Sequence, residues 1–117
     1  VNLKDVDKVR GHNFFAPESV LENIPKLYET DGNTEKKSYI HYFVGDWDWH
    51  ILELNPETQE AFALVFSTYE PNGEFGYVNL NELALVRAGL YKQPVERDLH
   101  FTPCILPTLR GTTGYES

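Results

Sequence analysis

The chain has 117 residues, 41% of them hydrophobic and 14% aromatic, so it can bury one core of ordinary size and is not a disordered polymer. Ten basic residues against eighteen acidic ones give a net charge of -8, which repels nucleic-acid phosphates in the absence of a basic patch or metal ion and favours basic partners. One cysteine, Cys104, excludes an internal disulfide and a zinc site built from cysteines, and no apolar run is long enough to span a membrane.

Residues 1 to 13 are polar and without period, which predicts a loose arm. They lack the apolar core of a signal peptide, so a reducing cytoplasm is the expected compartment. A helix is expected from Pro17 to about Asn23, with Val20, Leu21 and Ile24 on one side and Pro25 ending it. "TDGNTEKK" reads as a polar turn. "SYIHYFV", residues 38 to 44, and "WDWHILEL", residues 47 to 54, have the aromatic and branched composition of strands, joined tightly at Gly45 and Asp46. Strict alternation places Trp47, Trp49 and Ile51 on one face and Asp48, His50, Leu52 and Leu54 on the other, with Glu53 away from Asp48 unless a bulge intervenes.

A third strand over residues 60 to 69 is apolar on both faces and therefore central. A turn at Asn72-Gly73 leads to a fourth strand, "EFGYVNL". Asn79 then caps a second helix, with Glu82 three residues later and Gly89 as its stop. A short fifth strand is expected near residues 98 to 101. The fold class is α+β: a four- to five-stranded antiparallel meander with two short helices packed on one face, spanning residues 14 to 106, with a tail over 107 to 117.

Chemistry-bearing side chains cluster twice. Asp46, Asp48, His50 and Glu53 lie within eight positions, and Asp48 and His50 share a strand face. Two ligands do not make a metal site, and a third would come from His41 or His100. The plainer reading makes Asp46 a turn residue and leaves the others facing water. In "VERDL", Arg97 can grip a phosphate or carboxylate with its planar fork, or pair structurally with Asp48 or Glu53, beside Glu96 and Asp98. Nothing near Cys104 activates a thiol, and Ser67 has no nucleophile elbow. No phosphate loop, dinucleotide fingerprint or zinc-protease helix is present, so no catalytic residue, cofactor or metal is assigned.

The segments "IPKLYETDG", "DWDWHILELNPETQEAFALVFSTYEPNGEFGYVNLNEL" and "LYKQPVERDLHFTP" resemble, in order and spacing, the domain-of-unknown-function family 2958 over roughly residues 20 to 103. "GYVNLNEL" and "PVERDLHF" carry most of the likeness. A family pattern of Trp, aromatic and glutamate is similar to Trp47, Trp49 and Glu53, while His50 stands where an aromatic is more usual. The resemblance implies small bacterial proteins carried by plasmids, phages and other mobile elements. It transfers no activity and no catalytic residue.

The functional expectation is a non-enzymatic acidic interaction module of a mobile element that binds a host or defence-system protein, in an anti-defence role. Its binding residues are expected among Trp47, Asp48, Trp49, Glu53, Arg97 and Asp98. The alternatives are a metal-dependent hydrolase or nuclease using Asp46, Asp48 and His50 with Glu96 or Asp98, and a small-nucleotide sponge read by Arg97.

Overall fold

The architecture follows from one hairpin. Gly45 adopts φ 56° between Val44 and Trp47, and this two-residue connection fixes the register of the strands on either side. The computed structural model describes residues 13–33 and 35–106; the arm expected over residues 1 to 12 and the tail over 107 to 117 lie outside them. In chain order the elements are α1 (Glu18–Leu21), β1 (Lys37–Ser38), β2 (Ile40–Val44), β3 (Trp47–Leu54), β4 (Glu60–Phe66), β5 (Glu74–Asn79), α2 (Leu80–Leu83), β6 (Arg87–Ala88), β7 (Gln93–Pro94), β8 (Glu96–Arg97) and β9 (Cys104–Ile105).

The main sheet is antiparallel with order β5-β4-β3-β2-β8, so β2 to β5 form the expected meander. Two small ladders, β1 with β9 and β6 with β7, accompany it. Strand content dominates and the helices are short, an α+β arrangement. β4 is flanked on both sides, as expected for the strand read as apolar on each face.

Alternation along the strands makes two faces. On the first, Ile40, Tyr42, Val44, Ile51, Leu54, Ala61 and Ala63 are buried together with Phe14, Leu80, Leu83 and Val95, while Val20 and Leu21 lie against them. Tyr42 stacks on Phe14 at 4.4 Å and donates its hydroxyl hydrogen bond to the Phe14 carbonyl. Each fully buried Leu or Ile here contributes about 1.5–3 kcal/mol. The second face carries a smaller cluster of Leu52, Leu64, Phe66 and Leu106, lined by Phe62, Phe101 and Cys104.

Four expectations need correction. The register between β3 and β4 slips between Ile51 and Glu53, so Leu52 is an extra residue. The bulge returns Leu54 to the first face and turns Glu53 to the second, the reverse of strict alternation. β4 ends at Phe66 rather than Tyr69, because the Ser67 hydroxyl accepts the amides of Tyr69 and Glu70 and diverts the chain.

α2 is capped as expected, with the Asn79 side chain accepting the amides of Asn81 and Glu82, but it stops at Leu83. Beyond Ala84 the residues Leu85 and Val86 are exposed, so a longer helix would bury nothing, and the Arg87 guanidinium takes the Ala84 and Val86 carbonyls. Gly89, at φ 74°, instead turns the chain from β6 to β7. The short strand expected near residues 98 to 101 lies earlier, as β8, because Tyr42 and Phe43 pair with Arg97 and Glu96.

Candidate functional site

Counting back from the Gly45–Asp46 turn places His41 directly opposite His50 and Phe43 opposite Asp48 on the second face. The polar groups there do not face water separately. His41 Nε2 lies 2.6 Å from Asp48 Oδ1, and His41 Nδ1 lies 3.1 Å from Asp98 Oδ2. An imidazole that donates from both nitrogens is the protonated form. Burial pushes the His41 pKa down, but the hydrogen bonds and charges of Asp48 and Asp98 outweigh it and hold it above the ordinary histidine range.

His50 is fully buried and stacks on His41 with centroids 4.6 Å apart and planes 7° apart. Burial and the neighbouring charge of His41 lower its pKa to about 3, so it stays neutral. Its Nδ1 lies 3.0 Å from the hydroxyl of buried Ser38. Phe101 closes the cluster, 5.8 Å from the His41 ring and 5.7 Å from that of His50.

"VERDLHF" builds the lid. β8 pairs with β2, the Asp98 amide donates to the His41 carbonyl, and the Asp98 side chain accepts the His100 amide. This turn delivers Phe101 over both imidazoles. The expectation that Asp48 and His50 face water is therefore wrong: the register of a tight hairpin, together with β8, gathers them.

Glu53 is elsewhere on the same face. It is buried and accepts the Tyr28 amide at 2.8 Å, the Thr30 amide at 2.9 Å and the Thr30 hydroxyl. Burial alone would raise its pKa; these donors and the charge of Lys36 hold it below the usual carboxylate range. Asp46 shapes its surroundings as expected: its carboxylate accepts the Thr68 amide and hydroxyl, which lowers its pKa. Arg97 pairs with neither Asp48 nor Glu53, and its Nε donates to the Asn13 carbonyl. Trp47 and Trp49 stack at 5.8 Å on the first face, Trp47 being 37% exposed and Trp49 half-buried.

The residues singled out thus separate into four places: Asp48 and Asp98 on His41, Glu53 under the Tyr28–Thr30 loop, Arg97 on the Asn13 carbonyl, and the tryptophans at the hairpin end. Among the described residues, no three His, Cys, Asp or Glu side chains are arranged to hold a metal ion. Cys104 is a free thiol whose pKa is raised by burial. The centre that sequence reasoning underweighted is His41. Its signal was the turn, since a two-residue loop at Gly45–Asp46 dictates the His41–His50 pair by counting.

Among the described residues, no helix is long and apolar enough to cross a membrane. The fold and site define a small antiparallel α+β protein with a part-buried histidine–carboxylate cluster at one side of its sheet. The chain belongs to the family described as Protein of unknown function (DUF2958), whose profile matches residues 28–106 and so covers β1 to β9. Comparison with curated proteins gave no match, and comparison with solved structures gave none.

Proposed function

We propose that this protein is a non-enzymatic acidic interaction module, and that the Trp47–Trp49 end of the sheet is its principal contact. The observation that carries this reading is the stacked indole pair, with Trp47 more than a third exposed beside Asp46. A large amphipathic ring held rigid by a second one presents contact area at little entropic cost, as interface anchors do. The histidine cluster supports the same reading. Both nitrogens of His41 meet carboxylates, so a substrate finds no free base there and Asp48 must leave His41 before it can join a metal. As a mobile-element protein, the chain would act on a host or defence-system protein.

The test is co-purification from a bacterial host with the wild type and with Trp47→Ala. A partner retained by the wild type and lost by the variant, at unchanged thermal stability, supports the reading. A partner held equally by both removes Trp47 from the interface.

One observation favours a second reading. Arg97 lines a cleft of about 230 Å³ with Tyr39, Asp98, Phe101 and Pro103, where a guanidinium beside aromatic rings suits a phosphate-bearing base. Thermal-shift measurement with nucleotides tests it, because a ligand stabilises only what it binds. No shift with any nucleotide removes it.

A further inference from the structure

Edge strands present unpaired backbone groups, and natural proteins usually shorten, charge, break or cover them. The two edges of this sheet differ. β8 has two residues, whereas β5 runs for six as "EFGYVN", with neither lysine nor proline. Among the described residues, β5 pairs only with β4, and no backbone bond of Phe75, Gly76, Tyr77 or Val78 is made outside that ladder.

An aromatic surface stands beside this open edge. Phe75 and Tyr77 project from β5 on the second face, 51% and 53% exposed. Phe62 stacks on Phe75 at 5.6 Å and lies 5.2 Å from Tyr77. Tyr28, 62% exposed, continues the row at 6.3 Å from Tyr77. Among the described residues, neither hydrophobic core cluster includes Phe75, Tyr77 or Tyr28, so the described core does not account for these rings.

The charge around the patch selects its occupant. Partial desolvation, a hydrogen bond with Tyr28 and the negative fields of Asp31 and Glu53 keep the Tyr77 phenol protonated beyond its ordinary range. A second copy of this chain would bring another net charge of -8 against these acids. A cationic segment would instead enter this negative field and meet ring faces, both of which attract lysine and arginine.

We propose that β5 accepts an extended, lysine- or arginine-bearing segment of a partner protein, which adds as a further strand and lays its cationic side chains over Phe75 and Tyr77. Main-chain bonds to β5 supply the pairing, and alternate side chains read the aromatic row. The proposal rests on the interaction-module reading and specifies the partner's chemistry.

The experiment uses the full chain and a fluorescently labelled peptide of alternating lysine and valine, about eight residues long to match the strand. Fluorescence anisotropy should report saturable binding that weakens with salt. Phe75→Ala combined with Tyr77→Ala should weaken it about tenfold or more. The same peptide with alternate amides N-methylated should not bind, and neither should its glutamate–valine counterpart. These altered peptides test the strand pairing even if the double variant fails to fold.

Failure of the lysine–valine peptide to bind overturns the proposal. So does equal binding of the N-methylated peptide, or a concentration-dependent dimer in sedimentation that the two alanines abolish. Trp47-dependent co-purification is read separately. If it persists while the peptide fails, the β5 assignment falls and the module reading stands.

Discussion

The imidazole rings of His41 and His50 lie parallel at 4.6 Å, and their proton affinities move in opposite directions. The separation has a physical origin. His41 is bracketed by Asp48 and Asp98, while His50 is buried next to a ring that already holds the charge. Two adjacent imidazoliums would repel, so protonating one keeps the other neutral.

Stability should therefore depend on pH with two limbs. His50 has a folded pKa near 3 against an ordinary 6.5, so its contribution is complete above 6.5 and is lost as pH falls towards 3. The slope from this one group is at most about 1.4 kcal/mol per pH unit. His41 works the other way: its folded pKa is raised, so its contribution is complete below 6.5 and is lost as pH rises through the folded value. Proton NMR should find the His50 ring still neutral at about pH 4.5, and urea unfolding of His50→Gln should show a flatter acid limb. A His50 that titrates near its ordinary value would sink this account.

His41 also ties β8 to the sheet. Replacing it by alanine leaves Asp48 and Asp98 facing each other without the cation between them. The loss should be about 2–3 kcal/mol, below the roughly 3–5 kcal/mol of a fully buried broken pair because both carboxylates keep some solvent contact. Adding Asp98→Asn should recover part of it, since the like-charge repulsion disappears. Chemical unfolding of the two variants measures the difference, and a double variant less stable than His41→Ala would show that repulsion is not the cause.

The elements that could be read from the residues were those written locally. Gly45–Asp46 specified a hairpin, the aromatic runs specified β2 and β3, and Asn79 specified a helix start; each holds. What escaped depended on distant partners. The bulge at Leu52 is set by how β4 and the Tyr28–Thr30 loop meet Glu53, which no window around Leu52 contains. α2 has a good helical pattern through Arg87, but its length is decided by where the sheet stops offering a surface to bury against. The histidine cluster lay between. His41 opposite His50 follows from counting, whereas Asp98 arrives from 57 residues away.

Glu53 supports the loop that precedes β1. Its carboxylate holds the amides of Tyr28 and Thr30, and Tyr28 carries φ 72°, a conformation that a bulky residue keeps only when its surroundings compel it. Glu53→Gln turns one acceptor into a donor facing those amides. The variant should lose about 2–3 kcal/mol, and hydrogen exchange at Tyr28 and Thr30 should accelerate more than elsewhere in the sheet. The folded pKa of Glu53 is lowered, so the wild-type advantage is complete above its ordinary value of 4.5 and shrinks as pH falls through the folded one. Equal stability of the two proteins at neutral pH would remove Glu53 from this role.

Gly73 and Gly76 lie three residues apart and should respond oppositely to alanine. Gly73 turns β4 into β5 at φ 88°, and an added Cβ would meet Phe66 Cε1 at 2.8 Å and Leu64 Cδ1 at 3.0 Å. Both contacts belong to the smaller core cluster, which cannot recede without opening a gap. Gly76 is within β5, with nothing within 4 Å of an added Cβ. Gly73→Ala should cost about 2–3 kcal/mol from backbone strain and overpacking together, a fall in Tm of roughly 10 °C. Gly76→Ala should leave Tm unchanged or raise it slightly, because alanine narrows the unfolded ensemble without meeting an obstacle. A thermal melt of each variant decides the matter: if Gly76→Ala is the more damaging of the two, the backbone of β5 is more constrained than an open edge strand allows.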